Sequence, residues 1–187
     1  MELKLVKKHN NKLTFLIKET DPAFVNTLRR IMLSEFPTMA VKRVLFVKNN
    51  SALFDDIIAH RLGMLPLTTD LDSYTSQEKC ACKGVGCARC QTALTVKAEG
   101  PLTVYASDLK SQDPLIKPVY PKMPIIKLLK GQELEFEATV GLGTGKEHTK
   151  FSPCLAFYRG YPQFNVIKKT KIKACIQECN GVLREKG

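Results

Sequence analysis

Four cysteines within eleven residues, Cys80, Cys82, Cys87 and Cys90, carry the strongest chemical signal in this sequence. Their spacing is Cys-x-Cys-x4-Cys-x2-Cys, with Lys83, Gly84, Gly86 and Arg89 between them. Short spacers with glycine let one tight loop present thiolates to an ion from both sides. Zinc takes four such soft ligands tetrahedrally, and an all-cysteine set leaves no open position. That describes a structural centre. Sets of four cysteines also hold iron–sulfur clusters, so the spacing alone leaves that alternative open. Cys154, Cys175 and Cys179 stand apart, and Cys175-x3-Cys179 lacks the repeated Cys-x2-Cys of ferredoxins. The only histidines are His9, His60 and His148, and neither Gly-x-Ser-x-Gly nor His-Glu-x-x-His occurs. No catalytic constellation emerges. The run GLGTGKEH at 141–148 fails as a phosphate loop: Val140 stands where the first Walker glycine belongs, and Glu147 follows Lys146.

The elements that must position the cluster follow from periodicity. Residues 3–7 and 13–17 alternate as two strands of a hairpin across the polar turn His9-Asn10-Asn11-Lys12. The stretch DPAFVNTLRRIMLSEFP predicts one helix with marked ends. Asp21 caps it, Pro22 suits its first position and Pro37 stops it at Phe36. Phe24, Val25, Leu28, Ile31, Met32 and Phe36 give a wide apolar face, which Leu33 broadens. Residues 39–47 read as a strand. Ser51 is expected to cap a second helix running to Leu62 and closed by Gly63, with Leu53, Phe54, Ile57, Ile58 and Leu62 buried. Asp55 and Asp56 begin that helix and His60 and Arg61 end it, as the helix dipole prefers.

Beyond the cysteines, 93–98 and 102–106 are expected to pair across Glu99-Gly100-Pro101. Pro114, Pro118, Pro121 and Pro124 then exclude a helix or a central strand and predict an extended surface segment. Residues 133–140 alternate as a strand, 151–161 suggest a short one, and the last stretch begins like a strand and stops.

At 187 residues the chain suits one ordinary domain or two small ones. No apolar run reaches the roughly 18–20 residues of a membrane span. The start, MELKLVKKHNNK, lacks the apolar segment of a signal peptide, which predicts a cytoplasmic protein. A net charge of +11 favours an anionic partner, either nucleic acid directly or an acidic neighbour in a nucleic-acid machine. The lysines are dispersed and Trp is absent, so composition alone also allows a freestanding zinc-containing nucleic-acid-binding protein.

Three long stretches together resemble the D-type family of archaeal RNA polymerase subunits: FVNTLRRIMLSEFPTMAV, NNSALFDDIIAHRLGMLPL, and the segment from DLKSQDPLIKPVYPKMPIIKLLKGQ to HTKFSP. With the cysteine hook between them they run in family order over most of residues 1–160. Relatives of that family are the third-largest subunit of eukaryotic polymerase II and the bacterial α subunit. The resemblance implies an α+β protein in which a split dimerisation domain carries a mostly antiparallel β insert with the cysteine hook. Residues 1–40 would be the N-terminal half of the dimerisation domain and 41–165 the insert, with a zinc hook at 80–90. Residues 166–187 would be a return strand or the start of a truncated third domain. It further implies a non-catalytic platform within a nucleotidyltransferase complex. A small L-type subunit would pair on the helix bearing Phe24, Leu28, Arg29, Arg30, Ile31, Met32 and Phe36. The second-largest subunit and a small zinc-binding subunit would dock near His60, Arg61, Leu65, Pro118, Pro121 and Pro124. The family's final amphipathic helix has no counterpart before Gly187, and Cys175 and Cys179 are expected to be the vestige or the beginning of a ferredoxin-like domain.

Overall fold

The computed structural model describes residues 1–162 and, beyond them, only Ala174, Ile176 and Glu178. Apart from those three residues, the segment at 166–187, expected as a return strand or the start of a third domain and carrying Cys175 and Cys179, lies outside the described residues. The chain divides into two compact units: residues 1–19 with 159–187, and residues 20–158.

In the smaller unit, β1 (Glu2–His9) and β2 (Lys12–Lys18) form the expected antiparallel hairpin. Asn10 takes a positive φ of 48° in the two-residue turn, a conformation asparagine tolerates better than most residues. Every residue of β1 is exposed, including Leu3, Leu5 and Val6.

The larger unit opens with α1 (Pro22–Ser34). The Asp21 carboxylate accepts from the Ala23 N–H at 2.6 Å, and proline occupies the first turn as expected. The helix gives way at once to β3 (Pro37–Asn49), an edge strand of a four-stranded antiparallel sheet ordered β3-β8-β4-β6. The centre of that sheet is β8 (Glu133–Thr144), paired along its length with β3 and with β4 (Gln91–Glu99). A two-residue β6 (Lys110–Ser111) covers part of the other edge of β4. The inner face of β8 alternates Leu134, Phe136, Ala138 and Val140, all buried. These pack with Ile58 and Leu62 of α2 (Asp55–Gly63) and with Ile116, Ile125 and Leu128 in one core.

Several expectations change here. The second helix begins at Asp55, not Ser51: the Ser51 hydroxyl is taken by the Asn49 side-chain oxygen at 2.6 Å, which folds 49–53 into a local turn. Phe54 and Ile57 are therefore exposed, and only Ile58 and Leu62 of the helix are fully buried. The strands β4 and β5 (Leu102–Tyr105) do not pair with each other. Both edges of β4 are occupied by β8 and β6, and the Gly100 N–H bonds the Gln132 carbonyl at 2.8 Å. Strand β5 instead pairs with β7 (Pro124–Leu128), so the proline-rich segment ends in a strand, with its proline at the first position as the missing N–H requires. Residues 151–161 form no strand: a 3-10 turn at Thr149–Phe151 is followed by irregular chain.

The end of α1 is held against the sheet. The Lys146 N–H donates to the Ser34 carbonyl at 3.1 Å, and a Cβ at Gly145 would run into the Leu33 carbonyl oxygen. Only glycine allows that approach.

Candidate metal centre

The hook hangs from two fixed points. On one side the buried Tyr74 donates its hydroxyl to an Asp113 carboxylate oxygen at 2.7 Å, and the Thr75 N–H bonds the Arg89 carbonyl at 2.9 Å. On the other, Cys90 runs directly into β4. Between them the backbone folds back twice. The Lys83 N–H donates to the Cys80 carbonyl, and both the Cys90 and Gln91 N–H groups donate to the Cys87 carbonyl. Lys83, Gly84 and Gly86 take positive φ values of 53°, 87° and 98°, which reverse the chain between the two cysteine pairs. The Gln77 side chain donates to the Gly84 carbonyl at 2.7 Å and braces the tip.

This geometry gathers all four sulfurs within 4.8 Å of one another. Three pairs stand in hydrogen-bonding geometry: Cys80–Cys87 at 3.5 Å, Cys82–Cys90 at 3.7 Å and Cys87–Cys90 at 3.9 Å. Four sulfurs placed tetrahedrally about 2.3 Å from a zinc ion lie about 3.8 Å apart. The donor set therefore fits one tetrahedral ion with little movement.

Electrostatics separate the thiols. The backbone N–H of Cys82 and then the neighbouring Cys87 and Cys82 sulfhydryls stabilise the Cys80 thiolate and lower its pKa to about 6. Burial pushes Cys90 the other way, to about 12. Cys90 is 1% exposed, and a cation beside it would supply what its thiolate lacks in solvation.

The serine variant Cys82→Ser is expected to lose most of its metal and to loosen only residues 80–90. None of the four cysteines belongs to the main apolar core cluster, so the sheet is expected to hold without them. Hydrogen exchange read peptide by peptide checks this; loss of protection in β8 would show that the hook supports the whole fold.

The other expected site residues fall into groups. On α1 no residue is fully buried. Phe24, Ile31, Met32 and Phe36 are 40–51% exposed, while Leu28 and Arg29 are half-buried. The Arg29 guanidinium donates twice to the Asn26 side-chain oxygen, at 3.1 and 3.0 Å, and Arg30 is exposed. Around α2, His60 and Arg61 are exposed, and Arg61 spends one N–H on the Ile125 carbonyl at 2.7 Å. Leu65 is 2% exposed and belongs to the core, packing inward. Pro118 is half-buried in a bridge with Leu67, whereas Pro121 and Pro124 are exposed. Sequence reasoning passed over Tyr74, Asp113 and Gln77, which suspend the hook. Nothing in their spacing marks them, because their partners lie up to 39 residues away.

Comparison with known proteins places the sheet and the hook within one family. The family model described as the RNA polymerase Rpb3/RpoA insert domain matches residues 44–153. The chain is 38% identical over 187 residues to DNA-directed RNA polymerase subunit Rpo3 of Methanosphaera stadtmanae, covering 96% of this chain and 69% of that protein. Against Rpo3 of Pyrococcus horikoshii the identity is 43% over 179 residues, covering 90% and 63%. Against Rpo3 of Archaeoglobus fulgidus it is 38% over 180 residues, covering 95% and 68%. The chain belongs to this family of DNA-directed RNA polymerase subunits, and it spans about two thirds of the length of these relatives. No helix among the described residues is long and apolar enough to cross a membrane.

Proposed function

We propose that this chain is a non-catalytic platform on which a cytoplasmic DNA-directed RNA polymerase is assembled, the counterpart of the archaeal D-type subunits. Residues 1–40 contribute one half of a dimerisation domain that pairs with a small L-type subunit. Residues 41–165 are the insert. Its exposed His60, Arg61, Pro121 and Pro124 border the surface offered to the second-largest subunit and to a small zinc-binding subunit. The observation that carries this reading is α1. A helix with this much apolar surface ordinarily buries a face, yet Phe24, Ile31 and Met32 remain in solvent, as does Phe36 just past its end. Exposed apolar surface of this kind marks a protein contact. The family membership makes other polymerase subunits the partners of choice over free nucleic acid.

In the hook we place structural zinc, held by Cys80, Cys82, Cys87 and Cys90. Sulfurs this close suit a single ion better than an iron–sulfur cluster, which must seat several irons between its thiolates. Four thiolates on a dication leave two net negative charges, and Lys79, Lys83 and Arg89, all exposed on the hook, are positioned in sequence to offset them. Bound there, the ion would fix the loop and supply no chemistry to a substrate.

Native mass spectrometry of the tagged chain drawn from its own host tests the proposal. Recovery with a small subunit and the large catalytic chains is the expected result. Recovery alone, or with nucleic acid only, would overturn it.

A further inference from the structure

The four hook cysteines differ in access as well as in position. Cys82 and Cys87 are partly exposed, whereas Cys80 and Cys90 are buried. Each exposed sulfur has a buried one as its close neighbour: Cys87 lies 3.5 Å from Cys80, and Cys82 lies 3.7 Å from Cys90. This is the arrangement in which an accessible thiolate meets an oxidant and a sheltered one resolves the product.

We infer that the hook is a site of oxidative modification by peroxide, in which Cys87 and Cys82 are attacked and Cys80 and Cys90 respectively close the disulfides, releasing the metal. The inference rests on the metal-centre reading above. In the first step the Cys87 sulfur attacks one oxygen of hydrogen peroxide. The O–O bond breaks, leaving a sulfenic acid on Cys87 and hydroxide, which takes a proton to become water. The Cys80 thiolate then attacks the Cys87 sulfur. The S–O bond breaks, and the departing hydroxide is protonated to a second water. Two thiolates have lost two electrons and one peroxide has gained them. The same sequence at Cys82 and Cys90 removes the remaining ligands. Sequence proximity would favour a different outcome, with Cys80 joined to Cys82 and Cys87 to Cys90. The geometry instead selects the crossed pairs. Among the sulfur pairs in hydrogen-bonding geometry they are the two shortest, with Cys87 and Cys90 at 3.9 Å.

The test uses the full chain purified in its metal-bound, reduced form, with Cys154→Ser to remove the other exposed thiol among the described residues. Hydrogen peroxide is titrated in, released metal is followed with a chromogenic chelator, and the product is alkylated and digested with trypsin. Cleavage after Lys79, Lys83, Arg89 and Lys97 separates 80–83, 84–89 and 90–97. Crossed pairing leaves these three peptides joined as one species, and metal is released with roughly two equivalents of peroxide. Cys82→Ser should then leave peptide 80–83 bound to 84–89 alone. A species joining 84–89 directly to 90–97, or full retention of metal through the titration, overturns the inference. A reduced chain that carries no metal would instead sink the metal-centre reading, and the peptide map would still decide the pairing.

Discussion

Phe24→Asp combined with Ile31→Asp is expected to abolish pairing with the proposed small subunit while the chain itself stays folded. Both side chains stand 40% or more exposed on α1, so a carboxylate at either position remains hydrated in the free chain. In a complex each charge would be buried against apolar surface without a partner, at a cost of several kcal/mol. A few large apolar side chains dominate most interfaces, so two such changes should reduce affinity by at least about a thousandfold. Leu28 is the less informative target, since it is half-buried within the chain and its replacement would also disturb internal packing. Pull-down with the small subunit, alongside circular dichroism, checks the result. Retained pairing with intact folding would remove α1 from the interface.

The largest effect on stability should come from Phe136→Ala. Phe136 lies on the central strand β8, is 2% exposed, and meets Phe46 with ring centroids 5.7 Å apart. Truncating a buried phenylalanine leaves a cavity and costs about 3–5 kcal/mol. Domains are stable by about 5–15 kcal/mol in total, so this one change removes a large share. Phe54→Ala is the matched control, because Phe54 is 78% exposed and should lose almost nothing. Urea denaturation of the two variants measures the contrast. Equal midpoints would mean that the sheet core is not where this fold draws its stability.

What could be read from the sequence was local. Helix α1 was legible because Asp21, Pro22 and Pro37 act on their own neighbours, and the hook because four cysteines sit within one loop. The failures were of three physical kinds. Ser51 looked like a helix cap, but Asn49 competed for its hydroxyl. Strands β4 and β5 looked like a hairpin, but which strand fills an edge is decided by β8, more than thirty residues downstream. The strand expected at 133–140 runs on to Thr144, so Gly141 and Gly143 lie within β8. There Gly143 leaves room for the Phe151 ring, which a Cβ would strike. Burial also escaped the pattern: the apolar faces of α1 and α2 read alike, yet one is half exposed and the other supplies Ile58 and Leu62 to the core.

The close seating of Gly145 on the Leu33 carbonyl fixes more than the end of a helix. With the Lys146–Ser34 bond beside it and Pro37 opening β3 immediately afterwards, α1 is clamped at its C-terminal end. Thirteen residues of helix make a lever about 20 Å long. A tilt of about 5° at the clamp would sweep Phe24, about 13 Å away, through roughly 1 Å, enough to spoil close packing against a neighbour. The sheet therefore sets the angular tolerance of whatever seats on α1, and a single methyl group at position 145, striking the Leu33 carbonyl, would misaim the helix without touching the partner.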